Sequence, residues 1–231
     1  VYTRDVDEHL PIHPEYAARL LDEMAADDAV FTVDTGMCNV WAARYLTSNG
    51  RRRVIGSFLH GSMANALPHA IGAQEAFPGR QVVSMSGDGG LSMLLGDLIT
   101  LRDRDLPVKV IVFNNSCLGM VKLEMLVAGL PDFGVDLPPV DFAALATTIG
   151  IRAWRVSEPQ GIGEALGGAL ACDGPALVEL VTDSNALSIP PNLDVAQVRG
   201  FALAATKTVL EGGVGKMLEL ARANLRHIPR P

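Results

Sequence analysis

The sequence predicts an α/β protein: a doubly wound, mainly parallel sheet with helices on both faces, followed by a C-terminal helical tail. Three observations predict it. Six short segments rich in Val and Ile are apolar throughout, as strands covered on both faces are. Helical patterns alternate with them, and β-α alternation with right-handed crossovers builds a parallel sheet. Beyond Thr182 the strand pattern stops and only helical patterns remain.

The elements follow in order. A helix over 14–26 begins with Pro14, whose missing donor is not needed in a first turn. Strands at 30–34 and 53–55 precede a helix over 62–77, and strand 81–86 leads into a helix over 91–104. After strand 108–114, residues 128–139 are rich in Gly, Pro and Asp and read as a long ordered loop or lid. The helix over 141–149 is capped by Asp141 and closed by Gly150. Strand 151–156, a helix over 158–172, the Asp173-Gly174-Pro175 turn and strand 176–182 complete the alternation. Ile189-Pro190-Pro191 then leads to helices at about 194–210 and 214–226, separated by Gly212-Gly213. The expected division is an α/β domain over 1–182 and a tail over 183–231.

Composition narrows the class. The 231 residues are 48% hydrophobic and 19% charged, which excludes wholesale disorder and allows a sizeable core. A net charge of −7 argues against a nucleic-acid partner. No apolar run approaches the ~18 residues of a membrane-spanning helix. The start, Val1-Tyr2-Thr3-Arg4-Asp5, lacks the flank and centre of a signal peptide. Cys38, Cys117 and Cys172 are odd in number and without a CxxC, so reduced thiols in a cytoplasmic protein are expected.

Ligands of doubly wound sheets sit beyond the carboxyl ends of the strands. After strand 81–86 comes Gly87-Asp88-Gly89-Gly90, a segment whose glycines let backbone N–H groups face an anion such as a diphosphate. Asp88 would repel that anion unless it holds a divalent cation that the phosphates also ligate. Strand 108–114 ends in Asn114-Asn115, and Asn115 offers a second hard oxygen ligand. Neither GxxxxGK[ST] nor GxGxxG is present. Taken singly, either segment is an ordinary turn signal; together, at strand ends, they point to a metal–diphosphate site.

Gly-Asp-Gly, about two dozen residues and then Asn-Asn resemble the signature of the thiamine diphosphate enzymes. The resemblance implies that Asp88 and Asn115 bind Mg²⁺ through their side chains and Cys117 through its main-chain carbonyl. Two diphosphate oxygens and a water would complete the octahedron. It assigns main-chain groups of Gly89, Gly90, Leu118 and Gly119 to the diphosphate, with Ser116 and Met120 beside them. His60-Gly61-Ser62-Met63-Ala64-Asn65-Ala66 resembles the family's pyrimidine-binding segment. There Gly61 would accept from the 4′-amino group, next to Ser62, and Met63 would wedge between the cofactor rings. A bent cofactor brings its own base close to the proton it removes.

Asp34-Thr35-Gly36, the stretch from Val40 to Leu46, Lys122-Leu123-Glu124-Met125, Ile189-Pro190-Pro191 and Gly200-Phe201 narrow the resemblance to pyruvate dehydrogenase (quinone) and pyruvate oxidase. Met120 departs from it, standing where the quinone enzymes carry a phenylalanine. The match covers the C-terminal, diphosphate-binding third of such enzymes, without their pyrimidine and FAD domains. The chain is therefore expected to be a fragment, a proteolytic remnant or half of a split enzyme. The activating glutamate is expected in the N-terminal domain of a neighbouring subunit, with no catalytic side chain in this one. Glu75 and Glu124 read as surface or supporting carboxylates.

The activity implied is decarboxylation of pyruvate, or another small 2-oxo acid, to acetate and CO₂, with electrons passing through FAD to a membrane quinone. A homo-oligomer, dimer or tetramer, is implied, cytoplasmic and peripheral on the inner face of the membrane. Acetolactate synthase chemistry shares every motif quoted, and a non-catalytic α/β module is the alternative of another class. For His60 and His69, acid–base roles and hydrogen-bonded core positions both remain open. Trp41 and Trp154 read as core, and Arg51-Arg52-Arg53 as a solvated loop. Val214, Met217, Leu218, Ala221 and Leu225 fall near one helical face, and Arg222, Arg226 and Arg230 make the end basic. That tail is either packed on its own domain or responsive to anionic lipid.

Overall fold

A computed structural model describes residues 6–187 and 195–224. The elements run α1 (Pro14–Met24), β1 (Val30–Val33), α2 (Met37–Tyr45), β2 (Arg53–Gly56), α3 (Ala66–Ala76) and β3 (Val82–Gly87). They continue with α4 (Asp88–Met93), α5 (Asp97–Asp103), β4 (Lys109–Asn114), α6 (Gly119–Val127) and α7 (Phe142–Thr148). Then come β5 (Arg152–Val156), α8 (Ile162–Leu170), β6 (Ala176–Val181), α9 (Val195–Leu210) and α10 (Val214–Asn224). All six expected strands form, in one sheet of order β2-β1-β3-β4-β6-β5. Every strand pair is parallel.

Alternation along each strand fills both faces. Phe31 and Val33 pack on one side with Leu21 of α1, Ala42 of α2 and Leu166 of α8. Val30 packs on the other with Leu67 of α3, Leu101 of α5 and Phe142 of α7. Each such fully buried side chain contributes roughly 1.5–3 kcal/mol, which makes the two apolar faces the main source of stability. Asp141 caps α7 by accepting from the Ala144 N–H at 2.8 Å, and Gly150 closes the turn after it at φ 85°.

Four local expectations are corrected. The helix expected over 91–104 starts earlier, at Asp88, and breaks into α4 and α5. The helix expected over 62–77 begins only at Ala66, because Ala64 takes a left-handed φ of 63°. The helix expected over 158–172 opens with a 3₁₀ turn, Pro159–Gly161. Arg52 is no solvated residue: its side chain is 8% exposed, pairs with Asp22 and donates to the carbonyls of Ala25 and Ala26. It therefore ties the end of α1 to β2. All three cysteines are free; Cys38 and Cys117 are buried and Cys172 half-buried.

The tail packs on α6. Leu126 of α6 clusters with Leu187, Ala204 and Leu220, and with Phe201 and Met217 around them. At the α6–α9 crossing, a Cβ on Gly200 would overlap the Val127 carbonyl. Asn224 accepts from the Leu187 N–H at 3.1 Å and donates to the Asn185 carbonyl at 2.6 Å. The buried face of α10 thus runs through Leu220, Ala223 and Asn224, while Val214, Leu218 and Ala221, expected on one apolar face, are exposed. Of the described residues of that expected face only Met217 packs inward, because α10 meets the Leu126 cluster through Leu220. Ile189-Pro190-Pro191, Leu225, Arg226 and Arg230 lie outside the described residues. Among the described residues, no helix is long and apolar enough to cross a membrane.

Candidate active site

β1 connects outward to β2 on one side, and β3 to β4 on the other, so the crevice between the carboxyl ends of β1 and β3 is the switch point of the sheet. A cavity of about 250 Å³ opens there. Asp34, Asp88 and Asn115 line it from the ends of β1, β3 and β4. Gly61 and Met63 line it from the segment before α3, and Cys117, Leu118, Gly119 and Met120 from the start of α6. Ser62 and Ser116, the other two expected residues, do not line it: the Ser62 N–H donates to Ser57 Oγ, and the Ser116 N–H donates to Asn114 Oδ1.

Asp88 begins α4 and is 6% exposed. Its Oδ1 accepts from the Gly89 N–H at 2.9 Å, while its Oδ2 is buried without a partner. Burial raises its carboxyl above the ordinary value, against the pull of the N–H groups of Gly89, Ser116 and Cys117. A desolvated, half-partnered carboxylate is costly unless a cation meets it, so the orphaned oxygen fits a metal ligand. Asn115 Oδ1 accepts from the Cys117 N–H at 3.0 Å, which fixes the side-chain amide with its oxygen inward on the 115–117 turn. Burial pushes the Cys117 thiol up to about 11, so it is no ready thiolate, and the hard oxygen donor of this residue is its carbonyl. The donors available are hard oxygens, the set that suits Mg²⁺. Among the described residues there is no cluster of three or more His, Cys, Asp or Glu, so most ligands of such an ion would come from backbone, amide, solvent and bound phosphate.

The glycines matter by what they leave out. A Cβ on Gly89 would stand 2.9 Å from Leu118 and 3.3 Å from Met63. One on Gly90 would stand 2.8 Å from Asp34 Cγ and overlap its Oδ2. The expected glycine loop is thus the last residue of β3 and the first turn of α4, where N–H groups lack helical partners. Asn114, by contrast, is a structural residue. It donates to the Val140 carbonyl and to Glu179, a fully buried carboxylate that the Ala143 N–H also satisfies.

Other expectations sort clearly. His60 and His69 are both exposed rather than buried, and His69 Nδ1 meets Asn65 Oδ1 at 3.0 Å. Glu75 sits on the surface beside Arg104, whereas Glu124 reaches the cavity rim. Trp41 is core, 2% exposed, and its edge also reaches the cavity. The sequence reading gave no role to Asp34, Thr35, Gly36 and Met37 after β1, or to Thr182 and Asp183 after β6, which line the cavity. The signal was present: each group directly follows an apolar strand.

A family model described as thiamine pyrophosphate enzyme, C-terminal TPP binding domain, matches residues 34–180. YdaP of Bacillus subtilis, whose name describes it as thiamine pyrophosphate-containing, is 34% identical over 92% of this chain and 37% of its own length. Acetolactate synthase 2 of Zea mays is 34% identical over 74% of this chain and 28% of its own. Pyruvate oxidase of Lactiplantibacillus plantarum is 33% identical over 74% of this chain and 29% of its own. The chain therefore spans about a third of the length of these curated relatives.

Proposed function

Because the chain belongs to the thiamine pyrophosphate enzymes, through their C-terminal TPP-binding domain, we propose that its cavity holds the diphosphate of thiamine pyrophosphate (thiamine diphosphate) together with Mg²⁺. We further propose that it serves a pyruvate dehydrogenase of the quinone-reducing type. The observation that carries the cofactor reading is the buried, unpartnered Asp88 Oδ2 at the switch point, with Asn115 and the Cys117 carbonyl on the facing turn. Asp88, Asn115 and the Cys117 carbonyl hold the ion in this reading, and the backbone of Gly89, Gly90, Leu118 and Gly119 holds the diphosphate. Gly61 offers its carbonyl to the aminopyrimidine, and Met63 props the rings apart. Residues 1–182 form the binding unit and 183–231 an appendage whose first residues, Asp183 and Ala186, reach the cavity.

When bound, thiamine pyrophosphate supplies the nucleophilic carbon and the electron sink for cleaving a 2-oxo acid. This chain's residues bind, orient and keep the site dry; the activating carboxylate and an FAD come from elsewhere in the complete enzyme. The quinone assignment is supported by the resemblance of the Val40-to-Leu46 stretch and of the tail. Acetolactate synthase chemistry is the second reading, favoured by the 34% identity to a maize acetolactate synthase.

Calorimetry with thiamine pyrophosphate and Mg²⁺ tests the cofactor reading: binding that requires the metal is expected, and no binding overturns it. In the complete enzyme, pyruvate-dependent reduction of a quinone analogue is expected. Formation of acetolactate instead would move the assignment to the second reading.

A further inference from the structure

We propose that Asp34 is a positioning residue that sets the two halves of the cofactor site against each other. The proposal rests on the thiamine pyrophosphate reading above and adds a residue to it. Asp34 directly follows β1, is 2% exposed and lines the cavity. Its Oδ1 accepts from the Ala66 N–H at 3.0 Å. Two residues earlier, Thr32 Oγ1 donates to the Ala66 carbonyl at 2.7 Å. Side chains two apart on a strand share a face, so Thr32 and Asp34 together hold both backbone groups of one residue. Ala66 opens α3, and Met63 stands three residues before it, beyond Ala64 with its left-handed φ of 63°. The strand thereby fixes where the segment bearing Met63 begins.

The other side of the same carboxylate faces the diphosphate half. Oδ2 lies against Gly90, where any Cβ would overlap it. Oδ2 is buried and has no hydrogen-bond partner. A carboxylate is a poor space-filler in such a place, because a desolvated charge costs more than a neutral group of the same shape. Its place is explained if one anion holds the Ala66 N–H on one side and stands against the first turn of α4 on the other.

The test uses the full chain and two probes. Mg²⁺-pyrophosphate engages only the Asp88 half, whereas Mg²⁺-thiamine pyrophosphate spans both. Asp34→Asn keeps the shape and removes the charge. It is expected to hold pyrophosphate within about twofold of wild type and to lose about tenfold or more for thiamine pyrophosphate, the size of one lost hydrogen bond to a charged group. Thr32→Val, which releases the Ala66 carbonyl without touching the cavity, is expected to move the same way by a smaller factor, and carries the test alone should Asp34→Asn not fold. Equal loss for both probes, or no loss for either, overturns the proposal. If wild type binds neither probe, the cofactor reading itself falls and takes this proposal with it.

Discussion

Gly90 lies directly against Asp34, so that a Cβ at position 90 would stand 2.8 Å from Asp34 Cγ. The contact joins the end of β1 to the first turn of α4, across the crevice where the strand order reverses. Two acidic residues of that crevice, Asp34 and Asp88, are buried with one oxygen unpartnered. Substitutions on either side of the contact should therefore separate metal binding, ring positioning and stability.

Asp88→Ala or Asn115→Ala should abolish the Mg²⁺ dependence of thiamine pyrophosphate binding, because each removes one of two side-chain oxygens offered to the ion. Titration calorimetry at fixed cofactor and varied Mg²⁺ reads this. Unchanged Mg²⁺ dependence in both variants would place the metal elsewhere.

Met63→Ala should slow release of the cofactor's C2 proton far more than it weakens binding. Met63 Cε lies 3.3 Å from where a Gly89 Cβ would be, so the side chain bridges the two halves as a spacer. A displacement near 1 Å can cost about 100-fold in rate, while lost contact area costs little affinity. Proton exchange followed by NMR in the complete enzyme measures the rate, and a wild-type rate would remove the spacer role.

Stability should depend on pH through Asp34. Burial raises its carboxyl above 3.8 in the folded protein. Between 3.8 and the raised value the folded state binds more protons than the unfolded one, so stability falls as pH rises through that window. Above the window the penalty is full. Asp34→Asn should therefore raise the melting temperature at pH 7, by an increment that shrinks toward pH 4. An increment that grows on acidification would contradict the sign.

Gly200→Ala should loosen the tail without unfolding the sheet. The new Cβ meets the Val127 carbonyl at the α6–α9 crossing, and overpacking of this kind costs about 1–3 kcal/mol. Hydrogen exchange should quicken in α9 and α10 and stay unchanged in β3 and β4. Uniform quickening would mean that the tail and the sheet unfold as one unit.

These relationships were unequally legible in the sequence. The strands were readable because a sheet covered on both faces needs uninterrupted apolar segments, as in the run from Lys109 to Asn114, where even Lys109 is buried and donates to the carbonyls of Cys172 and Gly174. Helix α6 was not, because its pattern is inverted. Lys122 is buried, bonded to Asn185 Oδ1, while Val121 is exposed at the cavity rim. Helix α2 starts at a glycine with φ 138° and no side-chain cap, so nothing announced it. That Asp88 and Asn115 share one cavity was legible, since their Gly-Asp-Gly-Gly and Asn-Asn segments each end an apolar strand of a parallel sheet. Asp34 was not, because one aspartate after a strand is an ordinary turn signal. Its place depends on β1 lying beside β3, a neighbour relation that only the folded sheet supplies.

The most direct test is the position of the metal. Crystals of the protein grown with thiamine pyrophosphate and Mn²⁺ in place of Mg²⁺ would locate the ion by its anomalous scattering. The account predicts one peak in contact with Asp88 Oδ2, Asn115 Oδ1 and the Cys117 carbonyl oxygen, with two further oxygens from the diphosphate. A bound cofactor whose metal lies away from Asp88 would contradict it.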